Sequence, residues 1–434
     1  MITLMKRLWR DRRGNALIVA GACLPLIVGS VGLASDTVQW ALWKRQLQRS
    51  ADSAAIAGVY AIVDGKTVGN DCSNIAGATY ANPVAWDVKT NNRLSQGNPT
   101  CTVSNPPSAG GYTSNSNAVR VTLSTQKVLA FSSMFMSAAP TITATATAAI
   151  VPTGKYCVIA LEDGNETGID ATGSTTVNLG CGMITNATSM EAAVATGSSS
   201  VTASPIAAVG GIPASTHWGT GTVLQPFTVQ QPDPFANVPT PTPSNCKKFN
   251  DWITTGENKT NKSATVDNPT GVICISGESG GSLAIQGDVT LAPGVYILDS
   301  TELKMDTNSA SITCDGCTII LTGTPPKGVQ ITGGEVNMSA PDSGTYKGIL
   351  FFQDRNAEVL NPVKINGNSD SYIEGALYFP QANLTYNGTS GQNTACMQLV
   401  TRQVTFTGNS DITNTCPPGS GSGSFDGQSI RLVE

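Results

Sequence analysis

The stretch "ATGSTTV", residues 171–177, recurs as "ATGSSSV" at residues 195–201, an offset of 24 residues. Further segments place an apolar residue close before a glycine in the same way: "AIQGDV" (284–289), "QITGGEV" (330–336), "KINGNSD" (364–370) and "TFTGNSD" (405–411). The strands between these segments are too short to bury a face alone, whereas stacked coils of roughly 20–25 residues cover one another. The repeats therefore predict a mainly β protein whose large part is a right-handed parallel β-helix.

An antiparallel β-sandwich is the alternative fold. A sandwich is typically built from hairpins whose turns carry Asn-Gly or Asp-Gly between alternating strands. The chain has Asn387-Gly388 and Asp315-Gly316, but these pairs are scattered. The sandwich therefore stays open as the alternative.

Composition and charge argue against a nucleic-acid-binding protein. Charged residues make up 13% of the 434 residues, against a usual share of about a quarter. Residues 1–50 hold eight Lys/Arg and two Asp/Glu, which leaves 25 − 8 = 17 basic and 30 − 2 = 28 acidic residues in the remainder. A mildly acidic body lacks the basic face that binds nucleic acid, so we expect no nucleic-acid partner.

Eleven cysteines are present, and Cys23 lies inside an apolar run. The other ten form an even set, which indicates disulfides in an oxidising compartment. Because His217 is the single histidine, a mixed His/Cys zinc site is nearly excluded, and we predict no metal and no cofactor. The simplest connectivity joins neighbours: Cys72–Cys101, Cys157–Cys181, Cys246–Cys274, Cys314–Cys317 and Cys396–Cys416.

The amino-terminal segment has the length and charge pattern of a membrane anchor. The uncharged stretch "NALIVAGACLPLIVGSVGLAS" (15–35) follows five basic residues, and a helix of that length spans about 30 Å, the thickness of a bilayer core. We expect residues 1–14 to be a cytoplasmic leader, 15–35 to cross the inner membrane once, and the bulk to be periplasmic or extracellular. A cleavable signal peptide, with Gly32 and Ala34 before the cut, is the alternative.

Residues 36–63 continue the helical pattern as a predicted stalk. An apolar stripe recurs at i+3/i+4 and narrows from tryptophan to alanine and glycine; its members are Trp40, Trp43, Leu47, Ala51, Ala54 and Gly58. Small residues let two helix backbones approach closely. The stripe therefore predicts packing against a partner helix, and the alternative is that these residues pack on the chain's own domain.

The same segment resembles the TadE/TadG-like proteins of Tad (Flp) pilus assembly. The matching features are Arg13-Gly14-Asn15, Asp36, Arg45-Gln46-Leu47-Gln48 and Ala51-Asp52-Ser53-Ala54-Ala55. The resemblance implies a non-enzymatic, membrane-anchored scaffold of a Tad pilus, whose helix contacts other pilus-assembly or pseudopilin-like membrane proteins. The chain departs from the family in two places. Val19 stands five residues after Gly14, where prepilin-type processing favours Glu, so the sequence argues against that cleavage. The Asp-x-Ser-x-Ser motif of the von Willebrand-type domain that some members carry is missing, so we do not expect that domain here.

The rest of the chain divides into segments that differ in composition and in strand pattern. We expect a small pilin-like α+β region at 64–152, with strands at 118–126 and 141–151 and a short helix at 127–137. The later segments are predicted as first β-helix coils (155–224), a Pro-rich strap across the helix surface (225–246), the main β-helix (247–416) and a flexible tail (417–434).

Three short motifs are candidate sites. Asp354, Arg355, Glu358 and Lys364 are either a solvated turn or part of a polysaccharide-cleaving site, and the loop "EDGNETGID" (162–170) is a surface turn rather than a calcium loop. Cys314-x-x-Cys317 fits a structural disulfide better than a redox pair. The sequence thus leaves two alternatives to the pilus scaffold: an adhesin or glycan-binding β-helix that meets surface glycans through Thr/Asn/Ser ladders, and a polysaccharide-degrading enzyme.

Overall fold

The computed structural model describes residues 13–70, 72, 83–91, 99–256, 263–324, 327–356, 363–366, 370–388, 393–412, 416 and 423–434. The chain forms two compact units, Met1–Val151 with Ile430–Glu434, and Pro152–Ser429. Glu358, most of the predicted leader and residues 417–422 of the predicted tail lie outside the described residues.

The first unit is built around one helix, α1 (Arg13–Val63), which is continuous for 51 residues and includes Pro25. The short helix α2 (Pro83–Trp86) runs into a π-helical turn. Strands β1 (Thr100–Ser104), β2 (Ala118–Thr125) and the first part of β3 (Ile142–Ala160) form an antiparallel sheet. The unit therefore combines helix and antiparallel sheet.

Alternation in β2 and β3 produces the apolar face of this sheet. Val119, Val121 and Leu123 of β2 are buried, and β3 contributes small residues such as Ala146 to the same core as α1. Side chains at every second position share one face of a strand. Alanines on β3 and on α1 therefore let the helix lie close to the sheet.

The short helix predicted at 127–137 is wrong except for one 3-10 turn, Ser132–Met134. An isolated helix of this length is marginal in water. Here contacts with α1 decide the conformation: Asp36 accepts the backbone N–H of Ser132, and the Phe131 ring lies against Gly32.

The second unit is a β-solenoid of about ten turns. Its strands are β4 (Ile169–Ala171), β5 (Thr176–Leu179), β6 (Gly182–Thr185), β7 (Ala193–Ala195), β8 (Ser200–Thr202), β9 (Ile206–Ala208), β10 (Leu224–Gln225), β11 (Ile253–Gly256), β12 (Ala264–Val266), β13 (Val272–Ile275), β14 (Ser282–Ala284), β15 (Asp288–Leu291), β16 (Gly294–Asp299), β17 (Glu302–Met305), β18 (Ser311–Cys314), β19 (Cys317–Thr322), β20 (Val329–Ile331), β21 (Glu335–Ser339), β22 (Ile349–Gln353), β23 (Val363–Asn366), β24 (Tyr372–Gly388) and β25 (Asn393–Ile412). The last strand, β26 (Phe425–Leu432), begins in this unit and ends in the first. Short 3-10 turns lie at Phe249–Trp252 and Ser279–Gly281.

Parallel pairing arranges these strands in three stacks. The first stack runs β13, β16, β19, β22, β24, β25, β3, β6, β9 and β10. The second runs β14, β17, β20, β23, β24, β25, β4 and β7. The third contains β12, β15, β18, β21 and β24, and also β25, β5 and β8.

The two copies of the Ala-Thr-Gly-Ser repeat lie one coil apart. Ile169 pairs with Ala193 and Thr176 with Ser200, the same offset of 24 as in the sequence. The glycine of the second copy has φ 73°, and a Cβ on Gly197 would lie 2.9 Å from the carbonyl oxygen of Gly173. The parallel β-helix is confirmed, and the sandwich alternative is wrong for the strands of the three stacks, which pair in parallel along each stack, while β11 pairs antiparallel with β12.

The coils do not stack in chain order. From β3 the chain winds outward to β10, and residues 226–246 then carry it to the far end of the solenoid. It winds back from β12 to β25, where Val400 pairs with Ile159 of β3. The earliest and the last coils are therefore direct neighbours.

Residues 226–246, here called the strap, follow the first stack. Gln231 exchanges hydrogen bonds with Asn186 of an early coil at 2.8 and 2.9 Å. The hydroxyl of Tyr346 donates to the carbonyl of Pro239 at 2.9 Å. The strap ends at the Cys246–Cys274 disulfide beside β13.

Candidate functional site

The small-residue stripe of α1 is buried inside its own unit. Leu47, Ala51 and Ala54 are fully buried in one cluster with β2 and β3. A Cβ on Gly58 would lie 2.8 Å from Val119 Cγ1 and 3.1 Å from Val84 Cγ2. The structure therefore corrects the prediction that this part of the stripe packs on a partner helix and agrees with the alternative, in which it packs on its own domain.

The two tryptophans of the stripe differ in exposure. Trp43 is buried at 5% exposure, whereas Trp40 is half-buried and its indole nitrogen finds no acceptor within the described residues. A tryptophan with an apolar body and a polar tip suits a membrane interface. Within the stripe, Trp40 is the member that retains a free surface.

Toward its amino-terminal end, α1 is apolar and bare. Large side chains are exposed on several faces of the helix: Leu24, Leu26, Ile27, Val28, Val31, Leu33, Val38 and Leu42. The segment Gly21–Val63 is long and apolar enough to cross a membrane. A helix with apolar residues on all sides has no aqueous face, so this end of α1 has the surface of a lipid-embedded span.

Asp36 marks the point where the bare helix meets its folded unit. Its carboxylate is buried and accepts the backbone N–H of Ser132. A buried carboxylate must be hydrogen-bonded to be tolerated. The sequence singled out Asp36 through the family resemblance alone, and it missed Phe131 and Ser132, whose segment it predicted as a helix.

Five disulfides join neighbouring cysteines. Cys72–Cys101 lies in the first unit, and the second unit contains Cys157–Cys181, Cys246–Cys274, Cys314–Cys317 and Cys396–Cys416. Cys23 is free and exposed on α1. Bonds of this kind stabilise a fold by restricting the unfolded chain, and they persist in oxidising compartments.

Arg355, a candidate catalytic residue from the sequence, holds the strap. Its guanidinium donates to the carbonyl oxygens of Phe235 and Val238, the latter at 2.9 Å. It also lies over the rings of Phe352 and Tyr378, at 5.5 and 5.6 Å from their centroids. These contacts give Arg355 a structural role, in which it holds the strap on the solenoid.

Its neighbours have separate roles. Asp354 accepts the Thr322 hydroxyl at 3.2 Å and the N–H of Asn356 at 2.9 Å, while Lys364 is exposed on β23. Asp233 of the strap accepts the Tyr378 hydroxyl at 2.6 Å. Burial, followed by the hydrogen bond to Asp233 and its charge, raises the pKa of Tyr378 well above its ordinary value.

The loop 162–170 closes the contact between the earliest and last coils. Glu162 and Glu166 accept from Arg402 of β25 at 2.7 and 2.9 Å. Glu162 is buried, so this ion pair is shielded from solvent on one side. Among the described residues no group of three His, Cys, Asp or Glu side chains could hold a metal ion, and the loop acts as a clamp.

A groove of about 880 Å³ with a mixed polar and apolar lining lies on the solenoid between the third and first stacks. Its polar lining comes from Asp315, Asn337, Ser339, Asp342, Tyr372 and Glu374. The Tyr372 hydroxyl donates to Glu374, and this bond, with burial, raises the pKa of Tyr372 to about 12. Carboxylates and hydroxyls in this arrangement can exchange hydrogen bonds with a hydroxyl-rich ligand. The sequence did not predict this groove.

Comparison with known proteins gives one match. Residues 14–61 match the family model Tad, described as "Putative Flp pilus-assembly TadE/G-like". No curated protein and no solved structure matches the chain. The matched residues lie entirely within α1. The resemblance to Tad pilus-assembly proteins is therefore confirmed for the segment that forms the anchor helix.

Proposed function

We propose that this chain is a single-pass, membrane-anchored structural protein of a Tad-type (Flp) pilus system, which acts by scaffolding. The observation that carries the proposal is the coincidence of the family match at 14–61 with a helix that is bare at one end and buried at the other. Because the buried half of α1 shares a core with β2 and β3, the anchor and its sheet form one body. The membrane-embedded end of α1 thereby holds this folded domain at a fixed position and transmits force to it.

The orientation follows from charge and cysteine chemistry. Basic residues before the span, among them Lys6 and Arg7, favour a cytoplasmic amino terminus. Five disulfides beyond the span favour an oxidising space for the bulk. We therefore place the protein in an inner membrane with its two folded units in the periplasm or outside the cell.

The partners are other pilus-assembly or pseudopilin-like membrane proteins. Since the stripe from Trp43 to Gly58 is occupied by the chain's own residues, we assign the partner contact to the bare part of α1 instead. Small residues there include Gly21 and Gly29, and a Cβ added at either position would meet nothing within 4 Å. Such positions allow close approach of another helix.

A deletion strain complemented with variants tests this function. We expect loss of surface fibres on deletion, and rescue by the wild-type chain and by Ser198→Lys with Ser200→Lys, which adds the same two charges at exposed solenoid positions. Leu26→Lys with Val28→Lys puts two charges in the span, at about 2.5–3.5 kcal/mol each, and should not rescue. Normal fibres in the deletion strain would contradict the proposal, and protease treatment of spheroplasts checks the orientation.

The groove favours one second candidate, an adhesin or glycan-binding protein. Its polar lining has the chemistry to meet sugar hydroxyls. The two functions separate in the same strain: normal fibres with lost surface attachment would support adhesion. Binding of the purified protein to a glycan array, lost in Asp315→Asn with Asp342→Asn, would locate the adhesive site in the groove.

The third alternative, polysaccharide cleavage, depended on Arg355, which is engaged with the strap. Turnover of a polysaccharide by the purified protein that Arg355→Ala abolishes would restore it.

A further inference from the structure

An exposed apolar loop lies beside the anchor helix. Within residues 127–137 five large side chains are exposed: Val128, Phe131, Met134, Phe135 and Met136. Met134 and Phe135 are 75% and 72% exposed, similar to the 73% of Leu26 in the span itself. Soluble surfaces seldom carry contiguous apolar patches without a function.

The loop is fixed at one level along α1. Phe131 lies against Gly32, and Asp36 accepts the N–H of Ser132. The uncharged run of the sequence ends at residue 35. Gly32 is three residues before that end, or about 4.5 Å along the helix. The loop therefore sits where the hydrocarbon core gives way to the headgroup region.

The backbone N–H groups of the turn at residues 132–136 are hydrogen-bonded within the chain, which lipid requires. The N–H groups of residues 133 to 136 donate to the carbonyls of Leu129, Phe131 and Ser132 at 2.9–3.1 Å. The Ser133 hydroxyl donates to the carbonyl of Ala130 at 2.8 Å. Few donors are left to be desolvated when this turn leaves water.

Charge around the loop suits a lipid surface. Lys127, at its start, is exposed, and a lysine near the headgroups is attracted to anionic phosphates. Methionine and phenylalanine form an adaptable apolar surface for the acyl boundary.

We infer that residues 127–137 are a second membrane contact, a loop that inserts Met134, Phe135 and Met136 into the interfacial region of the bilayer next to α1. Together, the span and the loop hold the first unit against the membrane at two points. The inference rests on the anchoring of α1 in the proposed function. Its partner is the lipid itself, argued from continuity with the span.

Site-specific photocrosslinking of the full chain tests it. p-Benzoyl-phenylalanine replaces Phe135, Leu26 or Tyr112 in turn, and each chain is reconstituted in vesicles of phosphatidylethanolamine and phosphatidylglycerol. Leu26 lies in the span, and Tyr112 lies in the turn before β2, whose Val119 faces Gly58. Gly58 is 26 residues from Gly32, or about 39 Å along α1. We expect lipid adducts from positions 26 and 135 and background yield from 112.

The outcomes separate the two proposals. Adducts at 26 with background yield at 135 would overturn the loop contact and leave the anchor intact. Background yield at 26 would overturn the anchor and the loop contact with it. In whole cells, a protein adduct at 135 in place of lipid would show that a partner covers the loop and would also overturn the lipid assignment.

Discussion

Replacing Arg355 with alanine should release the strap from the solenoid. The change removes two charge-assisted hydrogen bonds, to the carbonyls of Phe235 and Val238, each worth about 1.5 kcal/mol or more. The two ring contacts with Phe352 and Tyr378 are lost as well. A loss of about 3 kcal/mol corresponds to a rise of about 100-fold in the population with a detached strap.

Chymotrypsin provides the assay, because Phe235 is followed by Ala236 in the strap. Cleavage of a transiently opened segment follows its equilibrium population when opening is fast relative to cutting. We expect cleavage after Phe235 to be about 100-fold faster in Arg355→Ala. Arg355→Lys should be intermediate, since lysine keeps the charge without the planar fork.

Lys364→Ala is the matched control, because it removes one positive charge from an exposed position on β23. Its cleavage rate should equal that of the wild type. If Arg355→Ala is also cut at the wild-type rate, Arg355 does not hold the strap and the reasoning is refuted.

Three further predictions concern packing, covalent structure and pH. Gly58→Val should destabilise the first unit by about 1–3 kcal/mol through overpacking against Val119, whereas Gly29→Ala, with nothing within 4 Å, should leave its thermal denaturation unchanged. Mass mapping of non-reduced peptides should recover the five neighbouring disulfides; a crossed pair would contradict the structure. The raised pKa of Tyr372, about 12 against 10.0, favours the neutral phenol in the folded state. The contribution of Tyr372 to the free energy of unfolding is therefore full below pH 10 and is lost as pH rises toward 12. Tyr372→Phe should abolish that part of the alkaline transition, which is measured by phenolate absorbance and by the loss of folded structure.

Local repetition made the solenoid predictable, but not the order of its coils. The copies at 171–177 and 195–201 specify which residues stack, because each coil presents the same surface above and below. That equivalence also means that any coil edge fits several others. The sequence therefore could not tell that β25 lies against β3.

The stripe on α1 failed as a site prediction for a related reason. Alanine and glycine at helical spacing permit close packing on any small-faced neighbour, and the alanines of β3 are such a neighbour. The groove was missed because Asp315, Ser339 and Glu374 lie on successive coils, far apart in sequence and without a local motif. The family resemblance, by contrast, was readable because its features lie within one continuous helix.

The neighbouring positions of the earliest and last coils constrain how the polypeptide acquires its shape. Val158 pairs with Leu399, so one edge of β3 has no permanent neighbour until some 240 further residues have been synthesised. An open strand edge of that kind is prone to join other chains, and contacts of such long separation form slowly. We therefore expect the nascent chain to need shielding at this edge, and a chain truncated before β25 to keep the edge open to other chains.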